Sequence, residues 1–397
     1  MSDLVFNPMD PEFVADPYPT YHRLRAEDPV HRSPLGFWVL TRYEDVVWAL
    51  RDSRFGKEAI ADFVAKKLGV EARTGLGISM LDRDPPDHTR LRSLVSKAFT
   101  PRVIEGLRPR VQQVVDELLD RAEDRGAMDV IEDFAYPIPV VVICEMLGVP
   151  VEDHERFRGW SLDLARGLDA TLLGADTAIV QRSTASRGAL AAYFRELIAE
   201  RRAAPRGDLL SALIAAEEAG DTLNESELLA TCILLLVAGH ETTVNLLGNG
   251  TLALLRHPAE LRRLRENPRL IGTAVEELLR YDGPVQRTAR VPDTEVIVAG
   301  RTIEAGEMVM PFIGAADRDP AQFPDPDRLD LTRADNRHIA FGWGIHFCLG
   351  APLARLEGQI AINALVQRFP KLALATERPQ YRGSLTLRGL ESLPVAF

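Results

Sequence analysis

The sequence has 397 residues, of which 46% are hydrophobic, and it carries a formal net charge of −11. This length allows a large buried core, and the acidic balance argues against nucleic acid as the main partner. No apolar run reaches the roughly 18 residues that a membrane-spanning helix needs, since the longest candidate is Cys232–Ala238. The acidic N-terminus lacks the basic and apolar regions of a signal peptide, so we expect a cytoplasmic protein.

Helical patterns dominate the chain. Apolar residues recur every three or four positions from Val103 to Ala122, and Gly126 ends this predicted helix. The other predicted helices are Pro139–Leu147, Glu152–Leu168, Ser186–Arg202, Pro258–Glu266, Ile271–Tyr281 and Cys348–Phe369. The predicted strands are short, and they are Phe37–Thr41, Glu295–Val298 and Met308–Phe312. The sequence therefore predicts a mainly α protein with a minor β region.

The segment from His88 to Arg110 is locally basic, with the single acid Glu105 among its cations. These cations are Arg90, Arg92, Lys97, Arg102, Arg108 and Arg110. Such a segment is either a solvated helix face or a surface that docks an acidic partner, and the residues alone leave both interpretations open.

One predicted helix is unusually long. Asn224 and Glu227 form a capping box at its start, and His257–Pro258 ends it. At 1.5 Å per residue it would span roughly 46 Å and cross the molecule. Its apolar middle should be buried, yet Ala238–Thr243 follows with a glycine and several polar side chains. Such a local conflict is either a tolerated kink or a functional site.

The three cysteines are too few for a disulfide framework. Cys144 and Cys232 lie in apolar segments and are expected to be small core residues. Cys348 differs because it lies between glycines and before a predicted helix. A helix N-terminus favours a thiolate, Phe341 could shield the sulfur from water, and Gly344 and Gly350 would let the backbone approach a flat group. A His346–Cys348 metal pair is the weaker alternative, since zinc sites usually have four ligands.

Four residues of this loop match the pattern Phe-x-x-Gly-x-x-x-Cys-x-Gly, and they are Phe341, Gly344, Cys348 and Gly350. With these residues the chain resembles the cytochrome P450 family over essentially its whole length. The resemblance implies one P450 domain over residues 1–397, with the long helix over a buried haem b. It also implies that Cys348 is the iron ligand. The chain looks closest to the soluble bacterial branch that oxidises macrolides, other polyketides, steroids and fatty acids.

The resemblance extends to other residues of the chain. Glu277 and Arg280 match the family's Glu-x-x-Arg pair, with Arg328 of the segment Phe323–Asp330 as the expected third member of its buried network. Glu241 and Thr242 match the residues that deliver protons during oxygen activation, beside Ala238 and Gly239, which would leave room for O2. His240 points elsewhere on the helical wheel and is expected to be structural. The residues expected to bind the haem propionates are His88, Arg92, Arg290 and His346.

The substrate-contacting residues are also carried over from the family. The segments expected to contribute are Gly77–Leu81, Leu168–Leu173, the central helix, the residues after Pro284 and the turn Leu385–Leu387. The residues expected to line the pocket are Ile78, Leu234, Ala238, Val285, Gln286 and Leu385. Most are apolar, which favours a lipophilic substrate.

The activity implied is a monooxygenase that inserts one oxygen atom of O2 into a C–H bond, by hydroxylation or epoxidation. With no membrane anchor and no fused flavin domain in the sequence, we expect a monomer that takes electrons from a ferredoxin and its reductase. The basic segment Arg90–Arg110 is the expected docking face. Two alternatives are a peroxygenase driven by hydrogen peroxide and a haem-binding sensor without catalysis. The pair Glu241–Thr242 disfavours both.

Overall fold

The computed structural model describes residues 6–68, 78–173, 177–218 and 223–397. Most of them are helical, which confirms the predicted fold class. The α-helices are α1 (Pro11–Ala15), α2 (Tyr18–Glu27), α3 (Tyr43–Arg51), α4 (Ala59–Leu68), α5 (Asp87–Ser96), α6 (Pro101–Gly106), α7 (Arg108–Glu123), α8 (Pro137–Leu147), α9 (His154–Leu173), α10 (Thr177–Ala203), α11 (Leu209–Glu218), α12 (Glu225–Arg256), α13 (Pro258–Glu266), α14 (Ile271–Asp282), α15 (Ile313–Ala316) and α16 (Ala351–Arg368).

The β region is small and made of short strands. These are β1 (Val30–Arg32), β2 (Trp38–Leu40), β3 (Phe55–Gly56), β4 (Ala127–Asp129), β5 (Val291–Pro292), β6 (Val296–Val298), β7 (Arg301–Ile303), β8 (Val309–Pro311), β9 (Ala373–Leu374) and β10 (Pro394–Ala396). Strand β2 pairs antiparallel with β1 and parallel with β8, while β6 and β7 form a hairpin. The three predicted strands correspond to β2, β6 and β8.

Contacts divide the chain into two compact units. The first comprises residues 6–55, 104–138 and 242–397, and the second comprises the described residues within 56–103 and 139–241. The first unit holds most of the strands, α13–α16 and an apolar core in which β2 and β8 pack with Val296, Ile303 and Ile339. In the second unit, α9 and α10 pack along each other. The expectation of a single domain stays a prediction.

The helix predicted from Val103 to Ala122 is wrong as one element. It is two helices, α6 and α7, which meet at Leu107. Pro109 lacks the N–H that a continuous helix would need, and it lies instead in the first turn of α7, where that donor is not required. In the same way, α16 begins at Ala351 rather than Cys348, because Pro352 lies in its first turn and has no N–H to donate to the carbonyl of Cys348.

Helix α12 is the predicted long helix, and its capping box is confirmed. The N–H of Glu227 donates to Asn224 Oδ1 at 2.9 Å, and Glu227 Oε2 accepts from the N–H of Asn224 at 3.0 Å. The helix ends at Arg256, just before Pro258. Among the described residues it is the one helix long and apolar enough to cross a membrane, but most of its apolar stretch is buried inside the protein. The length and apolar composition of α12 are therefore those of a core helix.

Candidate active site

The loop before α16 presents Cys348 at its surface. The N–H of Cys348 donates to the carbonyl of Phe341 at 2.9 Å, and the N–H of Gly342 donates to Ile339 at 2.7 Å. The thiol is exposed and lies three residues before Ala351, the first residue of α16. A helix N-terminus stabilises negative charge on a nearby sulfur. By contrast, burial raises the pKa of both Cys144 and Cys232 to about 12, so these thiols stay protonated.

Two glycines of this loop have different reasons to be glycine. Gly344 has a φ of +72°, and a Cβ there would lie 2.5 Å from the carbonyl oxygen of Leu50. It therefore permits a tight turn and close packing on α3, which is a different role from the predicted approach to a flat group. Gly350 caps α16, and a Cβ there would lie 4.0 Å from Cys348 Sγ. Its lack of a side chain keeps the space beside the sulfur open.

The loop that carries Cys348 also exposes large apolar side chains. Ile345 is 51% exposed and Phe347 is 40% exposed, which is unusual for residues of this size. An exposed sulfur between exposed apolar side chains fits a flat, apolar, metal-bearing group such as haem. Within the same unit, His346 is half-buried and Arg290 is buried, with its guanidinium donating to the carbonyl of Ala289 at 2.8 Å.

One face of α12 is open although the helix is otherwise buried. Leu234 and Thr242 are half-buried and Ala238 is exposed, whereas Leu235 and Thr243, the residues after Leu234 and Thr242, are buried. The three open positions are four residues apart, so they share one face of the helix. This face also fits a flat apolar group, and it carries two of the predicted pocket residues and one predicted catalytic residue.

The polar residues of α12 divide between two roles. Gly239 lies against α8, because a Cβ there would come within 3.0 Å of Ile143. Its position therefore has a packing reason beside the predicted one. His240 is fully buried and its Nδ1 donates to the carbonyl of Leu236 at 2.7 Å, which agrees with the predicted structural role. Glu241 is also buried, with Oε1 3.6 Å from His240 Nε2.

The predicted propionate ligands His88 and Arg92 both lie on α5. Burial, helped by the charge of Arg92, lowers the pKa of the buried His88 imidazole. His88 is therefore a neutral hydrogen-bond donor near neutral pH. The adjacent basic segment has less free charge than its sequence suggests. Arg90 Nη2 lies 2.6 Å from Glu227 Oε1 and 2.9 Å from Asp87 Oδ1, so this cation is already paired.

Glu277 and Arg280 form a fully buried ion pair on α14, with Arg280 Nε 2.8 Å from Glu277 Oε2. The prediction that Arg328 is the third member of this network is wrong. The Arg328 side chain is 62% exposed and lies 3.4 Å from Asp330, while Arg333 Nε lies 3.1 Å from Glu277 Oε2. Arg328 contributes only its carbonyl, which accepts from Arg280 at 3.3 Å.

The predicted pocket residues Val285 and Gln286 lie in a segment that pairs with the turn Leu385–Leu387. Val285 pairs with Leu387, and the N–H of Gln286 donates to Thr386 at 2.9 Å, so these segments meet. The side chain of Gln286 is buried, accepts from Tyr21 at 3.1 Å and donates to the carbonyl of Gly283 at 2.9 Å. Gln286 is thus held by structural hydrogen bonds and borders a small cavity with Leu385, and its predicted substrate contact stays a prediction.

Two further predicted pocket residues are Leu385 and Ile78. Leu385 is buried and shares a small cavity with Tyr21 and Phe13 rather than an open surface. Ile78 is half-buried, whereas Gly77 and the side chains of residues 170–173 lie outside the described residues.

Comparison with known proteins accounts for this arrangement. The family model for cytochrome P450 matches residues 31–385. Cytochrome P450 107B1 of Saccharopolyspora erythraea is 47% identical, over 97% of this chain and 96% of that protein. Vitamin D(3) 25-hydroxylase of Pseudonocardia autotrophica is 45% identical, over 97% and 94%. The crystal structure of myxobacterial CYP267B1 with myristic acid superposes with a TM-score of 0.92, at 46% identity and 98% coverage of both chains.

The chain belongs to the cytochrome P450 family. It has the P450 fold, its cofactor is haem, and it is a monooxygenase. Members of this family generally need redox partners and act on lipophilic substrates.

Proposed function

We propose that Cys348 is the thiolate ligand of the haem iron and that the chain hydroxylates or epoxidises a lipophilic small molecule. The observation that carries the proposal is the exposed thiol of Cys348, before the N-terminus of α16 and between apolar side chains. When bound, haem supplies the redox chemistry that activates O2, and a thiolate ligand favours cleavage of the O–O bond. No other cysteine competes, because Cys144 and Cys232 are buried.

The open face of α12 supports the assignment of Thr242. A half-buried hydroxyl on an otherwise buried helix can donate a hydrogen bond into the reaction space without admitting bulk water. Glu241, beside His240, is the acid that supplies protons toward that hydroxyl. The His240 imidazole is buried and fixed by the Leu236 carbonyl, and its Nε2 lies 3.6 Å from this carboxylate.

His88, Arg92, Arg290 and His346 are the proposed partners of the haem propionates. Charge-assisted hydrogen bonds from such donors are shorter and stronger than neutral ones. The lowered pKa of His88 supports a neutral donor rather than a second cation beside Arg92. A propionate bound there would reverse the effect of Arg92 and raise that pKa.

The proposed substrate is an apolar molecule such as a polyketide or macrolide, a steroid or a fatty acid. Leu234, Ala238 and Val285 supply apolar surface at the positions described above. The vitamin D3 hydroxylase and the myristate complex among the relatives support a lipophilic substrate without choosing between classes. We further infer a cytoplasmic monomer that accepts electrons from a ferredoxin and its reductase. Lys97 and Arg102 are exposed cations of the basic segment.

Replacing the ligand tests the proposal. In Cys348→Ser we expect the reduced, CO-bound protein to lose the red-shifted absorption band of a thiolate-ligated haem. The matched control is Cys232→Ser, which removes a buried thiol and should leave that band in place. A Cys348→Ser protein that retains the band would show that another residue holds the iron. Product formation from vitamin D3 or myristic acid, with ferredoxin and reductase, then tests the substrate class.

A further inference from the structure

Arg355 on α16 contacts two groups in the first unit, a carboxylate and an aromatic ring. Its Nε lies 2.7 Å from Glu276 Oε1 and its Nη2 lies 2.8 Å from Glu276 Oε2, so the guanidinium binds the carboxylate with two parallel hydrogen bonds. Its Cζ also lies 4.5 Å from the centre of the Phe341 ring. Two parallel bonds fix the plane of the guanidinium, and a fixed plane can hold an aromatic ring by stacking.

Glu276 also binds His338, which lies three residues before Phe341. His338 Nε2 lies 2.9 Å from Glu276 Oε2, while His338 Nδ1 accepts from the N–H of Ala340 at 3.2 Å. Because Nδ1 accepts, Nε2–H is the donor of the hydrogen bond to Glu276. Burial would raise the pKa of Glu276, but the hydrogen bonds from Arg355 and His338 outweigh it and lower that pKa to about 2. The carboxylate is therefore ionised at every physiological pH.

Phe341 connects Arg355 and His338 to Cys348. The carbonyl of Phe341 accepts the N–H of Cys348 at 2.9 Å, so the two residues share one rigid turn. The Phe341 ring is packed by Arg355, by the His338 ring at 6.1 Å and by the Phe347 ring at 6.3 Å. Any motion of the Phe341 backbone would move the carbonyl that accepts the N–H of Cys348.

We propose that Arg355, fixed by Glu276, is a positioning residue that holds Phe341 over the Cys348 turn and thereby controls how much water reaches the sulfur. This inference rests on the proposed role of Cys348 as the iron ligand. Hydrogen bonds and solvent exposure at a ligating sulfur tune the reduction potential of the metal. Water that donates to the sulfur withdraws electron density from the iron, which stabilises the reduced state.

The experiment uses the haem-loaded protein and the variant Arg355→Lys. Lysine keeps the positive charge but cannot form the two parallel hydrogen bonds of a planar guanidinium. We expect its midpoint potential to rise relative to wild type, and a larger fraction of its CO complex to lose the thiolate band. The matched control is Arg368→Lys on the same helix. Arg368 also bridges carboxylates, those of Asp120 and Glu123, but on an exposed surface, so its potential should not change.

A double variant separates positioning from other effects. Phe341→Leu alone should raise the potential, and adding Arg355→Lys to it should cause no further rise, because the ring that Arg355 holds is gone. If Arg355→Lys loses haem, Glu276→Gln replaces it and should raise the potential in the same way. An unchanged potential in these variants, or full additivity in the double variant, would overturn the inference. A wild-type protein without the thiolate band would instead reject the proposed function itself.

Discussion

Arg333 binds the carboxylate of Glu277 through its Nε, which lies 3.1 Å from Oε2 and 3.3 Å from Oε1. Its Nη1 also donates to the carbonyl of Pro324 at 2.8 Å. Arg333 thus ties the segment before the cysteine loop to α14. Glu277 is completely buried, so its negative charge depends on Arg280, Arg333 and the backbone N–H of Asp330.

Removing Arg333 should destabilise the fold. Arg333→Met leaves a buried carboxylate with one cation fewer, which typically costs about 3 to 5 kcal/mol. The matched control is Arg328→Met, which removes an exposed side chain and should stay within about 0.5 kcal/mol of wild type. Denaturant unfolding of both variants measures the difference. Equal destabilisation by the two changes would contradict the role given to Arg333.

The loop glycines offer a second matched pair. Gly342 and Gly344 have φ values of +71° and +72°, but an added Cβ at Gly342 meets nothing closer than 3.9 Å, whereas at Gly344 it lies 2.5 Å from Leu50 O. Gly342→Ala should cost about 1 to 2 kcal/mol of backbone strain. Gly344→Ala should cost more and lower the haem content of the purified protein. Similar haem content in both variants would show that the contact with Leu50 does not matter.

Glu357 should make stability fall as pH rises. Burial raises the pKa of this carboxyl on α16 to about 8, and the Thr243 hydroxyl only partly offsets the effect. Below the unfolded-state pKa of about 4.5 both states are protonated. Above it the unfolded chain ionises while the folded protein keeps its proton, so stability is lost up to about pH 8.

Glu357→Gln should remove this dependence of stability on pH. Relative to wild type, its free energy of unfolding should increase with pH, by roughly 3 to 4 kcal/mol between pH 4.5 and pH 8. The control is Glu117→Gln at an exposed position of α7, which should follow wild type. Denaturant unfolding at several pH values tests this. A constant difference between Glu357→Gln and wild type would contradict the assignment.

Thr242→Ala should lower the product formed per O2 consumed. One hydrogen bond to a charged group contributes about 1.5 to 3 kcal/mol, which corresponds to roughly a tenfold or greater loss. The control is the conservative Thr242→Ser, which keeps the hydroxyl and should retain most of the coupling. The measurement is product against O2 uptake with NAD(P)H, reductase and ferredoxin. Full activity with peroxide alone, together with a silent Thr242→Ala, would favour a peroxygenase.

Alanine at both His88 and Arg92 should weaken haem retention. Each charge-assisted hydrogen bond to a propionate is expected to contribute about 1.5 kcal/mol or more, so haem transfer to an acceptor protein should accelerate by roughly tenfold per residue. Arg102→Ala, at an exposed position of the following helix α6, is the control. Unaltered transfer from the double variant would reject the propionate role.

The sequence predicted the features that depend on local chemistry. The capping box of α12 and the strands β2, β6 and β8 follow from residue spacing, and the loop motif at Cys348 identifies the family. Arg333 could not be predicted, because a loop residue that reaches back to Glu277 follows no helical or strand period. The hydrogen bonds of Gln286 could not be predicted for the same reason. Its partner Tyr21 is 265 residues away in the chain, and only tertiary structure brings the two together.

Arg355 was also missed, although a signal was present. It lies on the predicted C-terminal helix within reach of the cysteine loop, and Glu276 directly precedes the recognised Glu277. Two acids in succession on a buried helix require two separate cationic partners, and Arg280 accounts for only one. The sequence thus indicates that Glu276 requires a cationic partner, but it does not identify which residue that partner is.

The pairing of β2 with β8 has a consequence for biosynthesis. Trp38 on β2 donates its indole N–H to Glu307, beside β8, at a separation of 269 residues. At roughly 5 to 20 residues per second, the ribosome needs on the order of 15 to 50 s to deliver the second strand after the first. During that time one edge of β2 has no partner and can recruit other nascent chains. Slow translation or scarce chaperone capacity should therefore reduce the soluble yield of this protein before haem is ever inserted.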